Sequence, residues 1–306
     1  AVLTEVASLR GAPAPRHSRV IGAHLESNFI NPAFAGAQPV ACLRHANLPQ
    51  APDVRTEGTD RFTAREILAV VDRHRADVGV FTLAPEIEGG LALARALVSA
   101  GTRVSIGHTG ATFEEAQEAI AAGVTSATHL YNRMTPMTSR EPGVVGAVLA
   151  SEDVAAEIIC DGHHVHPASV RVAWRTKGIS RVMAITDGTA GSGLAAGSSA
   201  SLGGRRIVVD DVARLEDGTW AGSVLTMDRA FAMLVNACGA DLVQAAAMCS
   251  TTPAREMRLG GHGVIAPGAV ADLVVLDRRL TVAETWIAGN LAWSRAAGTP
   301  GRQDPS

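Results

Sequence analysis

VSIGHTGATFEEAQEAIAAGVTSATHLYNRM, residues 104–134, is one full strand–helix–strand step. RVSIGH (103–108) and VTSATH (124–129) are short β-rich runs, and TFEEAQEAIAAG between them reads as a helix. Thr112 with Glu115 forms the capping pair that opens this helix, and Gly123 is the residue expected to close it. Each strand ends on a histidine, His108 and His129. A core has little use for imidazoles there, whereas a metal ion does.

The same rhythm extends in both directions. Strand-like runs occur at 19–26, 78–85, 103–108, 124–129, 155–164 and 181–187, with helical stretches at 62–76, 89–101, 112–123 and 166–178. Strands alternating with helices build a parallel sheet. Glu26, His108, His129, His164 and Asp187 all fall at C-terminal strand ends, the face of a (β/α)8 barrel that carries chemistry. The fold expected is therefore α/β, a (β/α)8 TIM-type barrel. Six strands are visible where eight close a barrel. The chain opens on AVLTEVASLRG, which reads as the end of a helix, so the first two strands are expected to be missing from this chain.

After Asp187 the pattern changes. Residues 191–223 are Gly/Ser-rich with short β runs at 205–209, 212–215 and 219–221; helices return at 226–238 and 241–249, then strands at 271–277 and 281–293. We expect residues 1–190 to form the main part of the barrel and 220–262 its associated helices. Segments 191–219 and 263–306 are expected to form a small discontinuous β-sandwich domain. GSGLAAGSS lacks the lysine and following helix of a phosphate loop and reads as a connector.

Composition narrows the function. The chain has 306 residues, 47% of them hydrophobic, with a net charge of −3 and Lys177 as its only lysine, so nothing marks a nucleic-acid surface. No apolar run approaches the roughly 18 residues of a membrane span, and none fits a secretory signal. Cys42, Cys160, Cys238 and Cys249 form no CxxC pair, which suits a reduced, cytoplasmic protein.

His108 and His129 lie one strand–helix–strand step apart, hence on neighbouring strands. Two imidazoles with a carboxylate, for which Glu26 in HLESNF is the candidate, suit a catalytic divalent ion with an open position. Zinc fits best, and iron, manganese or cobalt accept the same donors. Asp187 is placed to act as general base towards activated water and then as acid. His164 in CDGHHVHP is the expected substrate contact, with His163 and His166 structural. Asn132 faces the site, and the fork of Arg140 in PMTSREPG suits a phosphate or carboxylate.

The motifs GAHLES, TLAPE, GHTGAT, ATHLYNRMTPM, REPG, DGHHVHP, ITDG, WAGSVLTMD and GVIAPGAVADLVVLD, in this order along nearly the whole chain, resemble the N-acetylglucosamine-6-phosphate deacetylases of the amidohydrolase superfamily. The resemblance implies a metal-dependent hydrolase of an N-acetylated amino-sugar phosphate, working as a homodimer. It implies Glu26, His108 and His129 as metal ligands and Asp187 as the base. It implies Asn132, His164 and Arg140 as sugar-phosphate contacts, the arginine reaching across a dimer interface. Trp220, Ala221 and Gly222 correspond to a substrate-lining loop. Three features depart from the family pattern. Ser27 and Asn28 replace a Gly-Pro pair, Gln38 stands where the family has a carbonyl-polarising histidine, and the HxH pair of the first strand is not in this chain. Two alternatives stay open: an amidohydrolase for another acylated amino sugar, and a non-catalytic or incomplete homologue that binds sugar phosphate.

Overall fold

The computed structural model describes residues 2–46 and 62–297. A first helix, α1 (Val2–Gly11), precedes β1 (Ala23–Glu26). Five helix–strand units follow: α2 (Ala64–Arg73) with β2 (Val78–Leu83), α3 (Gly90–Ser99) with β3 (Val104–Ile106), α4 (Phe113–Ala121) with β4 (Ser126–Ala127), α5 (Gly143–Ala150) with β5 (Ala155–Ile159), and α6 (Pro167–Lys177) with β6 (Val182–Ile185). The six strands form one parallel sheet whose spatial order is the chain order, β1 to β6. Unbroken parallel order with a helix between successive strands is the winding of a (β/α)8 barrel, and the sheet curls as such a barrel does. All six expected strands are present, each trimmed at its ends.

Burial explains why these strands were readable. All of β3 and β5, and all of β2 but Gly79, is buried. A parallel sheet covered on both faces uses continuous rather than alternating apolar runs. Phe81, Leu83, Ile106, Leu130, Ile158 and Ile159 form the centre of the main core. The helices start where the sequence marks them: Thr63–Glu66 and Thr112–Glu115 are both complete capping boxes. Helix α5 was not foreseen, because GVVGAVLA is apolar all round and carries no amphipathic period.

The barrel interior is not wholly apolar. Thr128 Oγ1 lies 2.7 Å from Thr82 Oγ1 and 2.6 Å from Ser105 Oγ, and Thr82 Oγ1 lies 2.7 Å from His24 Nε2. These groups form a hydrogen-bonded floor beneath the strand ends. Gly107 lets β3 approach it, since a Cβ there would sit 2.9 Å from Thr128 Cβ.

Beyond β6 the chain builds β7 (Ser199–Leu202), β8 (Arg205–Val209) and β9 (Ala213–Leu215), an antiparallel sheet with its own small core of Ile207, Ala213, Leu215 and Ala221. Next come α7 (Met227–Asn236), α8 (Leu242–Ala246), a π-helical turn at Ala247–Thr251 and α9 (Thr252–Glu256). Leu234 and Met248 from this stretch are buried in the main core. A second antiparallel sheet holds β10 (Leu273–Leu276), β11 (Val282–Ile287) and β12 (Asn290–Ser294). The two small sheets fall in the segments expected for the discontinuous β-domain, and the end of that domain's last segment, from residue 298, lies outside the described residues. Among the described residues no helix is long and apolar enough to cross a membrane.

Phe81 is fully buried and stacks on Phe29 at 6.2 Å. Phe81→Ala is expected to destabilise the fold by about 3–5 kcal/mol, whereas Val274→Ala on an exposed strand should change it by less than about 0.5 kcal/mol. Urea unfolding of both variants checks the pair. Equal midpoints would contradict the assigned core.

Candidate metal and substrate site

The polar side chains that matter stand on turns immediately after the strands. Glu26 is the last residue of β1. His108, His129 and Asp187 each follow their strand by two residues and adopt left-handed backbone, with φ of 50°, 35° and 49°. Non-glycine residues avoid that region unless their surroundings enforce it. Here the enforcing contacts are visible. Asn31 donates its backbone N–H to the His108 carbonyl at 2.9 Å, and Thr109 donates to the Arg133 carbonyl at 3.0 Å. Glu86, from TLAPE, accepts from Thr109 Oγ1 at 2.6 Å, from the Gly110 N–H at 2.6 Å and from Asn31 Nδ2 at 2.8 Å. One carboxylate thus ties the turn carrying His108 to the loop that follows Glu26. On the next strand, Leu130 N–H bonds the Glu157 carbonyl at 2.7 Å and Asn132 N–H the His129 carbonyl at 2.9 Å. Asp187 is held through its own carbonyl, which accepts from Ser223 N–H at 2.9 Å.

The side chains so aimed converge. Glu26 Oε1 lies 3.0 Å from His129 Nε2 and 3.3 Å from His108 Nε2, and the two Nε2 atoms are 3.0 Å apart. Among the described residues this is the one His/Cys/Asp/Glu cluster whose ligand atoms, all within 4.8 Å of one another, could hold a metal ion. The tautomer also fits. His108 Nδ1 sits 2.8 Å from the Phe34 carbonyl, which can only accept, so Nδ1 carries a hydrogen and Nε2 is the nitrogen left to bind a metal ion. A metal-ligating histidine needs that arrangement.

Burial alone would raise the pKa of Glu26, but hydrogen bonds and charge from His108 and His129 outweigh it and hold the carboxylate well below its usual range. His129 is the counterpart. Burial opposes its charged form, yet the bond and charge of Glu26 prevail and push it up to about 9. Burial raises Asp187, with the charge of His129 working against that rise. In the metal-free protein a proton on His129 therefore supplies the positive charge that the carboxylates require.

These groups line a cavity of about 850 Å³. Asn132, His164, Gln38, Ala221 and Gly222 are also in its wall, so nearly every residue expected at the site is brought together. Gln38 Nε2 donates to Glu26 Oε2 at 2.5 Å. His164 Nδ1 lies 2.6 Å from Asp161 Oδ2, and its ring meets Trp220 edge-on at 4.9 Å. Burial pushes the Asp161 carboxyl up, but the bonds from His164 outweigh this and lower it. His166 accepts from Ala168 N–H as the cap of α6, and His163 is exposed, so both stand apart from the cavity. Arg140 is exposed and is not in the wall.

Three wall residues escaped the sequence reading: His24, Glu157 and Arg133. His24 lies two residues before Glu26 on one strand, hence on the same face. Glu157 is a lone charge inside the apolar run AAEII. It is buried with Oε2 unpaired, burial raises its pKa, and its Oε1 lies 3.9 Å from His24 Nδ1. Both signals were present in the sequence.

The profile of the amidohydrolase family matches residues 26–292. The N-acetylglucosamine-6-phosphate deacetylase of Lysinibacillus sphaericus is 34% identical over 282 residues, 92% of this chain and 68% of that protein. The N-acetylgalactosamine-6-phosphate deacetylase of Shewanella sp. (strain ANA-3) is 37% identical over 276 residues, 90% of this chain and 65% of that one. The chain thus spans about two thirds of the length of these relatives. A solved structure of a Mycobacterium smegmatis N-acetyl-D-glucosamine-6-phosphate deacetylase variant, in complex with N-acetyl-D-glucosamine-6-phosphate, superposes with a TM-score of 0.83. It is 35% identical, covering 95% of this chain and 72% of that chain. The chain belongs to the amidohydrolase family.

Because the His129 pKa lies above its free value of 6.5, the stability this ion pair lends the metal-free fold is complete below 6.5. It is lost as pH rises through about 9. A metal must displace the same proton. Zinc titrated into metal-free protein at pH 7 is expected to release about one proton per ion, with affinity rising with pH up to about 9. Calorimetry in buffers of differing ionisation enthalpy reads this directly, and binding without proton release would show a neutral His129.

Proposed function

Taking amidohydrolase membership as the premise, we propose that this protein hydrolyses the N-acetyl group of N-acetylglucosamine-6-phosphate, giving acetate and glucosamine-6-phosphate. The observation that carries the reading is the convergence of Glu26, His108 and His129, with Asp187 facing the same cavity, in a chain whose relatives bear deacetylase names. Glu26, His108 and His129 are the residues we assign to a divalent ion, zinc first, with iron, manganese or cobalt compatible with the same donors. When bound, such an ion supplies Lewis acidity, lowering the pKa of water and polarising a carbonyl.

The chain's own groups do the rest. Asp187 as carboxylate accepts a proton from the attacking water while the oxygen bonds to the acetyl carbon. The C–N bond then breaks, and Asp187 returns that proton to the leaving nitrogen, which departs as the amine. Gln38 is assigned to donate an amide N–H towards the substrate carbonyl while holding Glu26 through Oε2. Its side chain stays neutral, unlike the histidine of the family pattern. Asn132 and His164, the latter fixed by Asp161, orient the sugar phosphate, with Ala221 and Gly222 lining the opposite side.

Arg140, exposed and outside this wall, is available to the site of a second copy, which is the basis for reading the protein as a homodimer. Four free cysteines fit a cytoplasmic enzyme. The Shewanella relative, 37% identical, is named for the galactosamine epimer, which makes N-acetylgalactosamine-6-phosphate the second substrate to try.

The full chain loaded with zinc should release acetate from one or both sugar phosphates. Asp187→Asn should lower kcat by about 10²–10⁴-fold, the usual worth of a general acid–base, without loss of metal. No release from either epimer by metal-loaded wild type would sink the reading. Gln38→Ala should lower kcat by about 10²–10³-fold, the scale for losing one donor to a developing oxyanion. An unchanged kcat would remove Gln38 from the chemistry.

A further inference from the structure

The cavity wall carries three carboxylates, Glu26, Glu157 and Asp187. A doubly charged phosphate entering this space meets repulsion unless a cation stands near its seat. Among the described wall residues Arg133 is the one arginine or lysine. We propose that Arg133 is the guanidinium with which this chain grips the anionic group of its substrate, a specificity-determining residue contributed by the same chain that holds the metal ligands. The proposal rests on the sugar-phosphate reading given above.

The position is built rather than incidental. Arg133 follows Asn132 directly and adopts left-handed backbone, φ 50°. Its carbonyl is pinned by the Thr109 N–H at 3.0 Å, and Thr109 pairs with Met134 as an isolated β-bridge. This backbone belongs to the same turn system that sets His108. The side chain then passes across Gly36, which itself has φ +60°. A Cβ at residue 36 would lie 3.0 Å from Arg133 Nε, so the missing side chain of Gly36 leaves room for the arginine to pass. Two residues beyond Gly36 stands Gln38, in contact with Glu26. Arg133 therefore lies between the loop bearing Gln38 and the turn bearing Asn132, both of which line the cavity.

Its chemistry is also uncommitted. Some arginines elsewhere are engaged, Arg103 with Glu256 at 3.3 Å and Arg295 with Asp277 at 2.8 Å, while the other unpaired ones, Arg140 among them, stand outside this wall. Among the described residues the Arg133 side chain takes part in no ion pair or hydrogen bond, although Glu26, Glu157 and Asp187 share its cavity. A planar fork of donors, unpaired at the mouth of an acidic cavity, matches the paired oxygens of a phosphomonoester. Arg140 offers no competing grip within one chain, being outside the wall.

The test uses the full chain loaded with zinc, as wild type, Arg133→Met, Arg133→Lys and Arg140→Ala. Acetate release is followed with N-acetylglucosamine-6-phosphate and with unphosphorylated N-acetylglucosamine, and inorganic phosphate binding is measured by calorimetry. Arg133→Met should raise KM for the phosphorylated sugar by about 10–100-fold, the scale of a lost charged hydrogen bond. The enzyme's preference for the phosphorylated sugar should fall by the same factor, and phosphate affinity should weaken alongside. Arg133→Lys should recover part of each. The salt dependence of KM should flatten in Arg133→Met, because the screened charge pair is gone. Unchanged KM and phosphate affinity in Arg133→Met overturn the proposal, as does an equal loss with both sugars, or the whole effect appearing in Arg140→Ala instead. Should wild type release no acetate at all, the deacetylase reading fails by itself, and the phosphate-binding comparison still decides the role of Arg133.

Discussion

The structure turns on a half-buried carboxylate, Glu26, held against two imidazole Nε2 atoms at 3.0 and 3.3 Å. A carboxylate taken from water is costly unless opposite charge and hydrogen bonds replace its hydration. Nearly every unusual feature near the strand ends serves that compensation. The left-handed turns at His108 and His129 swing both rings inwards. Phe34 fixes which nitrogen of His108 holds its hydrogen. Glu86 ties the turn after His108 to the loop after β1 through three hydrogen bonds. Backbone strain at three strand ends is tolerated because these contacts over-determine the local conformation.

Beneath this cluster, the floor of hydroxyls keeps the interior polar without leaving charges exposed to one another. Thr82, Ser105 and Thr128 satisfy each other, and His24 joins through Thr82. The buried side-chain atoms left without partners among the described residues are Ser126 Oγ, His129 Nδ1 and Glu157 Oε2, on the neighbouring strand units of β4 and β5. Unsatisfied buried groups are rare in folded proteins and mark functional interiors. These atoms lie in the sheet and at its strand ends rather than in the outer helices.

How much of this was legible in the sequence depends on the kind of signal. The alternation of elements was readable because doubly buried strands are written as apolar runs, and Thr112–Glu115 announced its helix correctly. His108, His129, Glu26 and Asp187 were readable because strand ends are identifiable even when strand limits are not. Only Ser126 and Ala127 of the run 124–129 pair as β4. What could not be read is where a loop sends its side chains. Tyr131 and Arg133 both take left-handed backbone, φ 79° and 50°, and these reversals place Arg133 in the wall and Arg140, a few residues on, outside it. Nothing in the residue types distinguishes the two arginines; the turn geometry does. Helix α5 was hidden for a different reason, its lack of any polar face.

Charge balance links the parts. Glu26 raises the affinity of Asp187 and Glu157 for protons and Asp187 raises that of Glu157, while His129 lowers that of all three. The imidazolium and the carboxylates therefore form one electrostatic unit rather than separate sites. Remove the proton from His129 with nothing in its place, and Asp187 is drawn towards its neutral form, in which it cannot accept a proton. Replace that charge with another cation on Glu26 and the two imidazoles, and Asp187 keeps the environment that favours its ionised form. Glu157 is buried with one oxygen unpaired, and that burial pushes its pKa up. The same residues that can hold a cation thus also set the electrostatic surroundings of Asp187 across the cavity, and this coupling follows from the placement of three strand ends around one carboxylate.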